Sequence, residues 1–131
     1  MFRRLKFHIA AKTLFAALLI SAFAAPQAHA VSAVLRGLDK VTGQARDFTA
    51  TIGRPVRFGT LEVTARACQK RPAEEIPEVS IYIQVFDTPP VPEGQEPRRA
   101  EIFHGWIFAS SPGLSALEHP VYDIWAIDCR S

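Results

Sequence analysis

Along several stretches of this chain apolar and polar side chains alternate one for one, and that period of two most constrains what the chain can fold into. Val79, Ile81, Ile83 and Val85 fall on one side of an extended segment, with Tyr82, Gln84 and Phe86 on the other. Leu61, Val63, Ala65 and Ala67 alternate with Glu62, Thr64, Arg66 and Cys68, and Phe48, Ala50 and Ile52 alternate with Asp47, Thr49 and Thr51. This is the periodicity of a strand with one buried face. Further strands are expected over Val34–Val41, Val56–Phe58, Glu101–Ala109 and Val121–Cys129. Thr42-Gly43-Gln44 and Gly53-Arg54-Pro55 read as turns. The Gly59-Thr60 break fits either a bulge or a short turn. Two long loops, Gln69–Glu78 and Asp87–Arg99, carry prolines that cannot hold a regular ladder. With no βαβ spacing and no internal repeat, the expected class is mainly β: a single small antiparallel β-sandwich or a partly open barrel.

The C-terminal part adds detail. Over Glu101–Ala109 the aromatic residues occupy both faces, His104, Trp106 and Phe108 on one and Phe103 and Ile107 on the other. Burial on both faces suits a central strand. Ser111 is a good helix N-cap and Pro112 a good first helical residue, while Pro120 stops a helix, so one short helical turn is expected near residues 112–118. Leu114 and Leu117, three apart, would both face the core. The last strand would carry Trp125 and Cys129 on the same side.

Residues 1–30 have the layout of a cleaved signal peptide. Arg3, Arg4, Lys6 and Lys12 are basic, Thr13–Ala25 is apolar apart from Thr13 and Ser21, and Ala28-His29-Ala30 offers a small-residue cleavage site. Removal would leave residues 31–131 as one β-rich domain of 101 residues, periplasmic, with no transmembrane segment. It also changes the charge. The whole chain has 15 basic and 13 acidic residues; without the first 30 it has 11 and 13. The basicity belongs to the leader and is no argument for nucleic-acid binding. Cys68 and Cys129, an even count in an exported chain, are expected to form a disulfide.

No catalytic constellation stands out. Gly113-Leu114-Ser115-Ala116-Leu117 is half of a nucleophile elbow, because Leu117 stands where a second glycine belongs, and the α/β context of that motif is missing. His104 and His119 lack zinc-type spacing, there is no acidic calcium loop, and no glycine loop would cradle a phosphate. His104 is expected to be half-buried in its strand, and His119 to cap the short helix or to meet Asp123. No metal and no cofactor is expected. Trp106, Trp125, Tyr82, Tyr122 and Phe103 read first as core and second as a binding surface.

Several phrases carry a family resemblance: Leu35-Arg36-Gly37-Leu38-Asp39-Lys40, Val56-Arg57-Phe58-Gly59-Thr60-Leu61, Ala67-Cys68, Gly105-Trp106, and Phe108-Ala109-Ser110-Ser111-Pro112. To these are added Leu114-Ser115-Ala116-Leu117-Glu118-His119-Pro120-Val121-Tyr122-Asp123, Trp125 and Cys129. The chain resembles domain-of-unknown-function family 2155, small exported proteins mostly of alphaproteobacteria. The resemblance implies no assigned activity or catalytic residue. It does imply gene neighbourhoods with an accessory subunit of respiratory complex I and with biotin carboxylase, hence an envelope role.

The expectation that results is a non-enzymatic periplasmic protein that binds or scaffolds an envelope partner, such as the periplasmic side of an inner-membrane complex. Its candidate surface is Trp106, Ser111, Glu118, His119, Tyr122, Asp123 and Trp125. Two alternatives stand beside it: an envelope hydrolase using Ser115 and His119, and glycan or peptidoglycan binding through Trp106 and Trp125.

Overall fold

The computed structural model describes residues 31–113, Leu117 and residues 119–131. Seven strands follow one another: β1 (Ser32–Asp39), β2 (Gln44–Thr51), β3 (Pro55–Phe58), β4 (Leu61–Lys70), β5 (Val79–Asp87), β6 (Ala100–Phe108) and β7 (Tyr122–Arg130). All pairings are antiparallel. They build one sheet in the order β2-β1-β7 and another in the order β3-β4-β5-β6.

The apolar phase of each alternation faces inward. Ala33, Leu35, Ala50, Ile124 and Ala126 of the three-stranded sheet meet Leu61, Val63, Ala65, Ile81, Ile83, Val85 and Ile107 of the other, all buried. Burying one such aliphatic side chain contributes about 1.5–3 kcal/mol, so this face-to-face layer is what holds the sheets together. The barrel alternative does not hold, because the hydrogen-bonded ladders stay separate. At the β2–β3 corner Gly53 N–H donates to Ala65 O (2.8 Å) and Arg54 N–H to Thr51 O (3.0 Å), so the chain switches sheets within a tight turn.

Gly59 and Thr60 form a two-residue hairpin turn, since Phe58 pairs directly with Leu61. Gly59 has φ +59° and Thr60 does not take positive φ, so glycine supplies the first loop position of the turn. A second demand falls on the same position: a Cβ there would run into the Tyr122 hydroxyl. Gly37 is needed for space alone, because the Phe58 ring lies where its Cβ would be.

The return from β6 to β7 spans the length of the sandwich. Ala109 N–H donates to Val79 O (2.9 Å) at one end, and Lys40 N–H donates to Val121 O (2.8 Å) at the other. Leu117 is buried between these points. Pro112 and Gly113 form a turn; the rest of the expected helical turn, with Leu114, Ser115, Ala116 and Glu118, lies outside the described residues.

Two expectations about the C-terminal strands are corrected. β6 is an edge strand, not a central one. Its faces are assigned correctly, but His104, Trp106 and Phe108 look outward, where their exposure is partial or high. In β7, Trp125 and Cys129 lie on opposite faces. Ala126 pairs with Leu35 and Asp128 with Val34, which leaves Ile127 as an extra, unpaired residue. Such a bulge reverses the inward and outward phase of everything after it. Trp125, opposite Arg36, therefore faces out. Cys129, opposite Ala33, faces in and bonds Cys68 of β4, with Cα atoms 5.8 Å apart. The disulfide ties the two sheets together near the end where Ser32 pairs with both Thr51 and Arg130. Lys70 Nζ and Asp128 Oδ1, 2.8 Å apart, join the same two strands beside it.

Candidate binding site at the loop end

The opposite end of the sandwich gathers the β1–β2 loop, the Gly59-Thr60 turn, the loop after β5 and the segment leading into β7. A buried polar cluster joins three of them. Asp87 is the last residue of β5, in phase with Val79, Ile81, Ile83 and Val85, and is therefore directed inward. Its Oδ1 accepts the Thr60 hydroxyl at 2.6 Å, and its Oδ2 lies 3.0 Å from His119 Nε2. The His119 and Asp87 side chains are 10% and 9% exposed. His119 Nδ1 accepts the backbone N–H groups of Val121 (3.0 Å) and Tyr122 (3.1 Å). A nitrogen that accepts two N–H groups carries no proton, so the proton sits on Nε2 and is donated to Asp87.

This arrangement decides what His119 can do. A general base needs one imidazole nitrogen facing the proton it removes. Here both nitrogens are committed, and the nearby hydroxyl, that of Thr60, donates to the carboxylate rather than to the imidazole. The cluster contains the residue types of a hydrolytic triad connected in the wrong order. It fastens loops: the segment before β7 is held to the end of β5 and to the β3–β4 turn. His119 thus meets Asp87, not Asp123. Asp123 pairs instead with Lys40 at 3.2 Å, and Lys40 also donates to His119 O at 2.6 Å.

Four rings cross this end of the molecule in sequence. His119 stacks on Tyr122 (centroids 5.2 Å), Tyr122 meets Phe58 edge-on (5.7 Å), and Phe58 stacks on Phe48 (5.4 Å). A cleft opens on each side of Tyr122. One, of ≈ 330 Å³, is lined by Thr60, Asp87, Pro89, Pro90, His119, Pro120, Val121 and Tyr122. The other, of ≈ 240 Å³, is lined by Asp39, Thr42, Gln44, Ala45, Arg46, Phe58, Gly59 and Tyr122.

The remaining candidates are scattered. Trp106 is on the outer face of the four-stranded sheet, edge-on to Tyr82 at 5.5 Å. Trp125 is on the outer face of the three-stranded sheet, so the two tryptophans cannot form one glycan platform. Ser111 is half-buried in the return segment, and Ser115 and Glu118 lie outside the described residues. The structure brings together His119, Tyr122 and Asp123. It adds Phe58 and Thr60, present in the family phrases but not named as site residues, and Asp87 and Arg46, which no phrase contained. Asp87 had a visible signal, since the alternation of β5 continues through it.

His104 is exposed rather than half-buried, and separate from His119. Its Nδ1 lies 2.5 Å from Glu101 Oε1, and Glu101 Oε2 accepts from Gln84, whose Oε1 accepts from Arg66. The Gln84 amide, and after it His104, hold the Glu101 carboxyl below its usual value. Among the described residues no three His, Cys, Asp or Glu side chains converge as a metal site, and no helix is long and apolar enough to cross a membrane.

Comparison with known proteins gives a family but no activity. A protein of Rickettsia prowazekii (strain Madrid E), "Uncharacterized protein RP359", is 28% identical over 94 residues, covering 70% of this chain. The chain spans about half of that relative, 56% of its length. No solved structure matches. The model of a family described as "Uncharacterized protein conserved in bacteria" (DUF2155) matches residues 33–129, from the start of β1 to the end of β7, and the chain belongs to that family.

Proposed function

We propose that this protein is a non-enzymatic binding module of the bacterial envelope that holds a protein partner at the loop end of its sandwich. The observation that carries the reading is the pair of clefts flanking Tyr122, beside a buried cluster whose polar atoms are already used in holding the loops. A β-sandwich presents its connections at its ends, and binding residues concentrate there on a rigid frame. The Cys68–Cys129 bond suits an oxidising compartment. Export by removal of residues 1–30 is part of the same reading; the protein recovered from the envelope should begin at Val31 by mass.

A photo-crosslinking residue at Pro90, on the rim of the larger cleft, tests the binding surface in intact cells. It should capture one discrete partner. The same residue at Glu74, in the loop between β4 and β5 at the opposite end, should not. Equal capture from both positions, or none from Pro90, overturns the proposal.

A further inference from the structure

We infer that the smaller cleft beside Tyr122 is a carboxylate-binding site, with Arg46 as its charged donor and the Tyr122 hydroxyl as its second donor. The inference rests on the loop end being the binding surface and names the group that surface recognises.

The Arg46 guanidinium lies over the Phe58 ring, 4.9 Å from its centroid, and that ring is buried. Stacking on a fixed ring holds the planar group by its face and leaves its N–H edge free to donate. Arg99 is stacked too, over Phe86 at 3.6 Å, but its NH2 is already spent on Glu62 at 2.6 Å. Of the cations near the loop end, Arg36 is paired with Asp47 and Lys40 with Asp123, while Arg57 is exposed on the face of β3 opposite Phe58 and does not line the cleft. Arg46 has no carboxylate within ion-pair distance among the described residues. It is a pre-oriented fork without an acceptor, and a carboxylate fits such a fork with two parallel hydrogen bonds.

Tyr122 and Gly59 line the same cleft, the Tyr122 hydroxyl lies against Gly59, and among the described residues that hydroxyl has no hydrogen-bond partner. Gly59 keeps that position open, since any side chain there would displace the hydroxyl. Asp39 also lines the cleft, with Oδ1 turned onto the N–H groups of Val41 (2.9 Å) and Thr42 (3.2 Å). Its charge stays close to the entering anion. The opposite charges of Arg46 and Asp39 nearly cancel, so an anion gains little net attraction, while its desolvation cost grows with the square of its charge; the site therefore favours a carboxylate over a doubly charged phosphate. A peptide can present such a group as its chain terminus or as a Glu or Asp side chain.

Amide chemical-shift titration of the protein with short peptides tests this. The probes are N-acetyl-trialanine with a free carboxylate, its C-terminal amide, doubly capped Ala-Glu-Ala, and inorganic phosphate. Shifts should centre on Gly59 and Tyr122 with one or both carboxylate peptides and be absent with the neutral amide; which peptide acts identifies the source of the carboxylate. Arg46→Gln should weaken binding at least about tenfold, and Tyr122→Phe about threefold to tenfold. Arg36→Gln, outside the cleft, should leave it unchanged, and Asp39→Asn should let phosphate in. Binding of phosphate alone, no shifts with either carboxylate peptide, or equal losses from Arg36→Gln and Arg46→Gln would overturn the inference. If crosslinking from Pro90 succeeds and Arg46→Gln leaves it intact, the carboxylate assignment falls and the partner reading stands. If titration succeeds and crosslinking fails, the cleft stands as a carboxylate site and the partner reading falls.

Discussion

The two ends of this sandwich are closed by different chemistry. At one end a covalent bond, Cys68–Cys129, joins β4 to β7. At the other, Thr60, Asp87 and His119 fasten the β3–β4 turn, the end of β5 and the approach to β7 through hydrogen bonds alone. The first clip needs only two residues in register and is indifferent to what surrounds it. The second works because it is buried and complete: each polar atom has a partner, and the loss of one strands the others. Clefts open at both ends: two flank Tyr122, and another, lined by Lys70, Glu78, Ser110 and Asp128, lies beside the disulfide.

Breaking each clip separately sharpens the contrast. Replacing both Cys68 and Cys129 by Ser, or reducing the bond, should give the largest loss. A closure of 61 positions corresponds to about 4 kcal/mol on the chain-entropy account. The urea midpoint with and without reductant measures it. Asp87→Ala should cost about 3 kcal/mol, because the buried Thr60 hydroxyl and His119 Nε2–H lose their acceptor together. Thr60→Val, which keeps the shape and removes one bond, should cost about 1 kcal/mol by the same measurement. Reductant should not alter either increment if the two ends act independently.

Acid probes the bonded end in another way. Lys70, by its hydrogen bond, and then the Cys129 N–H hold the Asp128 carboxyl below its ordinary value of 3.8. Its folded-state pKa is depressed, so its contribution is present above the ordinary carboxylate value and is lost as pH falls through the lowered one. Thermal midpoints should therefore drop below about pH 4 and drop less in Asp128→Asn. The smallest effect belongs to the other histidine–carboxylate pair. His104 and Glu101 are closer than His119 and Asp87, at 2.5 Å against 3.0 Å, yet their side chains are 66% and 35% exposed. Water and salt screen them, and His104→Ala should leave the midpoint where it was. A loss comparable to that of Asp87→Ala would break the argument that burial, and not distance, sets the worth of these pairs.

Much of the fold was legible because it follows from side-chain period. All seven strands fall where the alternation or the turn residues put them, and the disulfide joins the cysteines expected to pair. What escaped is what depends on a single inserted residue or on contacts distant in sequence. Nothing in the phrase Trp125-Ala126-Ile127-Asp128-Cys129 shows that Ile127 will be skipped by its neighbour strand, and that skip alone turns Cys129 inward while Trp125 faces out. The burial of Asp87 could have been read from the phase of β5; its partner 32 positions later could not. The hydrolase alternative rests on His119 standing near Ser115 in sequence. In space His119 is surrounded by two backbone amides and a carboxylate from another strand. Arg46 carried no signal at all, since only the folded chain brings β2 against the Phe58 ring.

The pairing of Ser32 with Arg130 has a practical consequence. Both ends of the folded chain leave the molecule on the side away from Tyr122, about 27 Å off along an eight-residue strand. A surface tether or purification tag attached beside Ser32 or Arg130 therefore starts at the end away from Tyr122. The protein can thus be immobilised by either end with the Tyr122 end facing solution, and an attachment at either end would hold that end out from the surface.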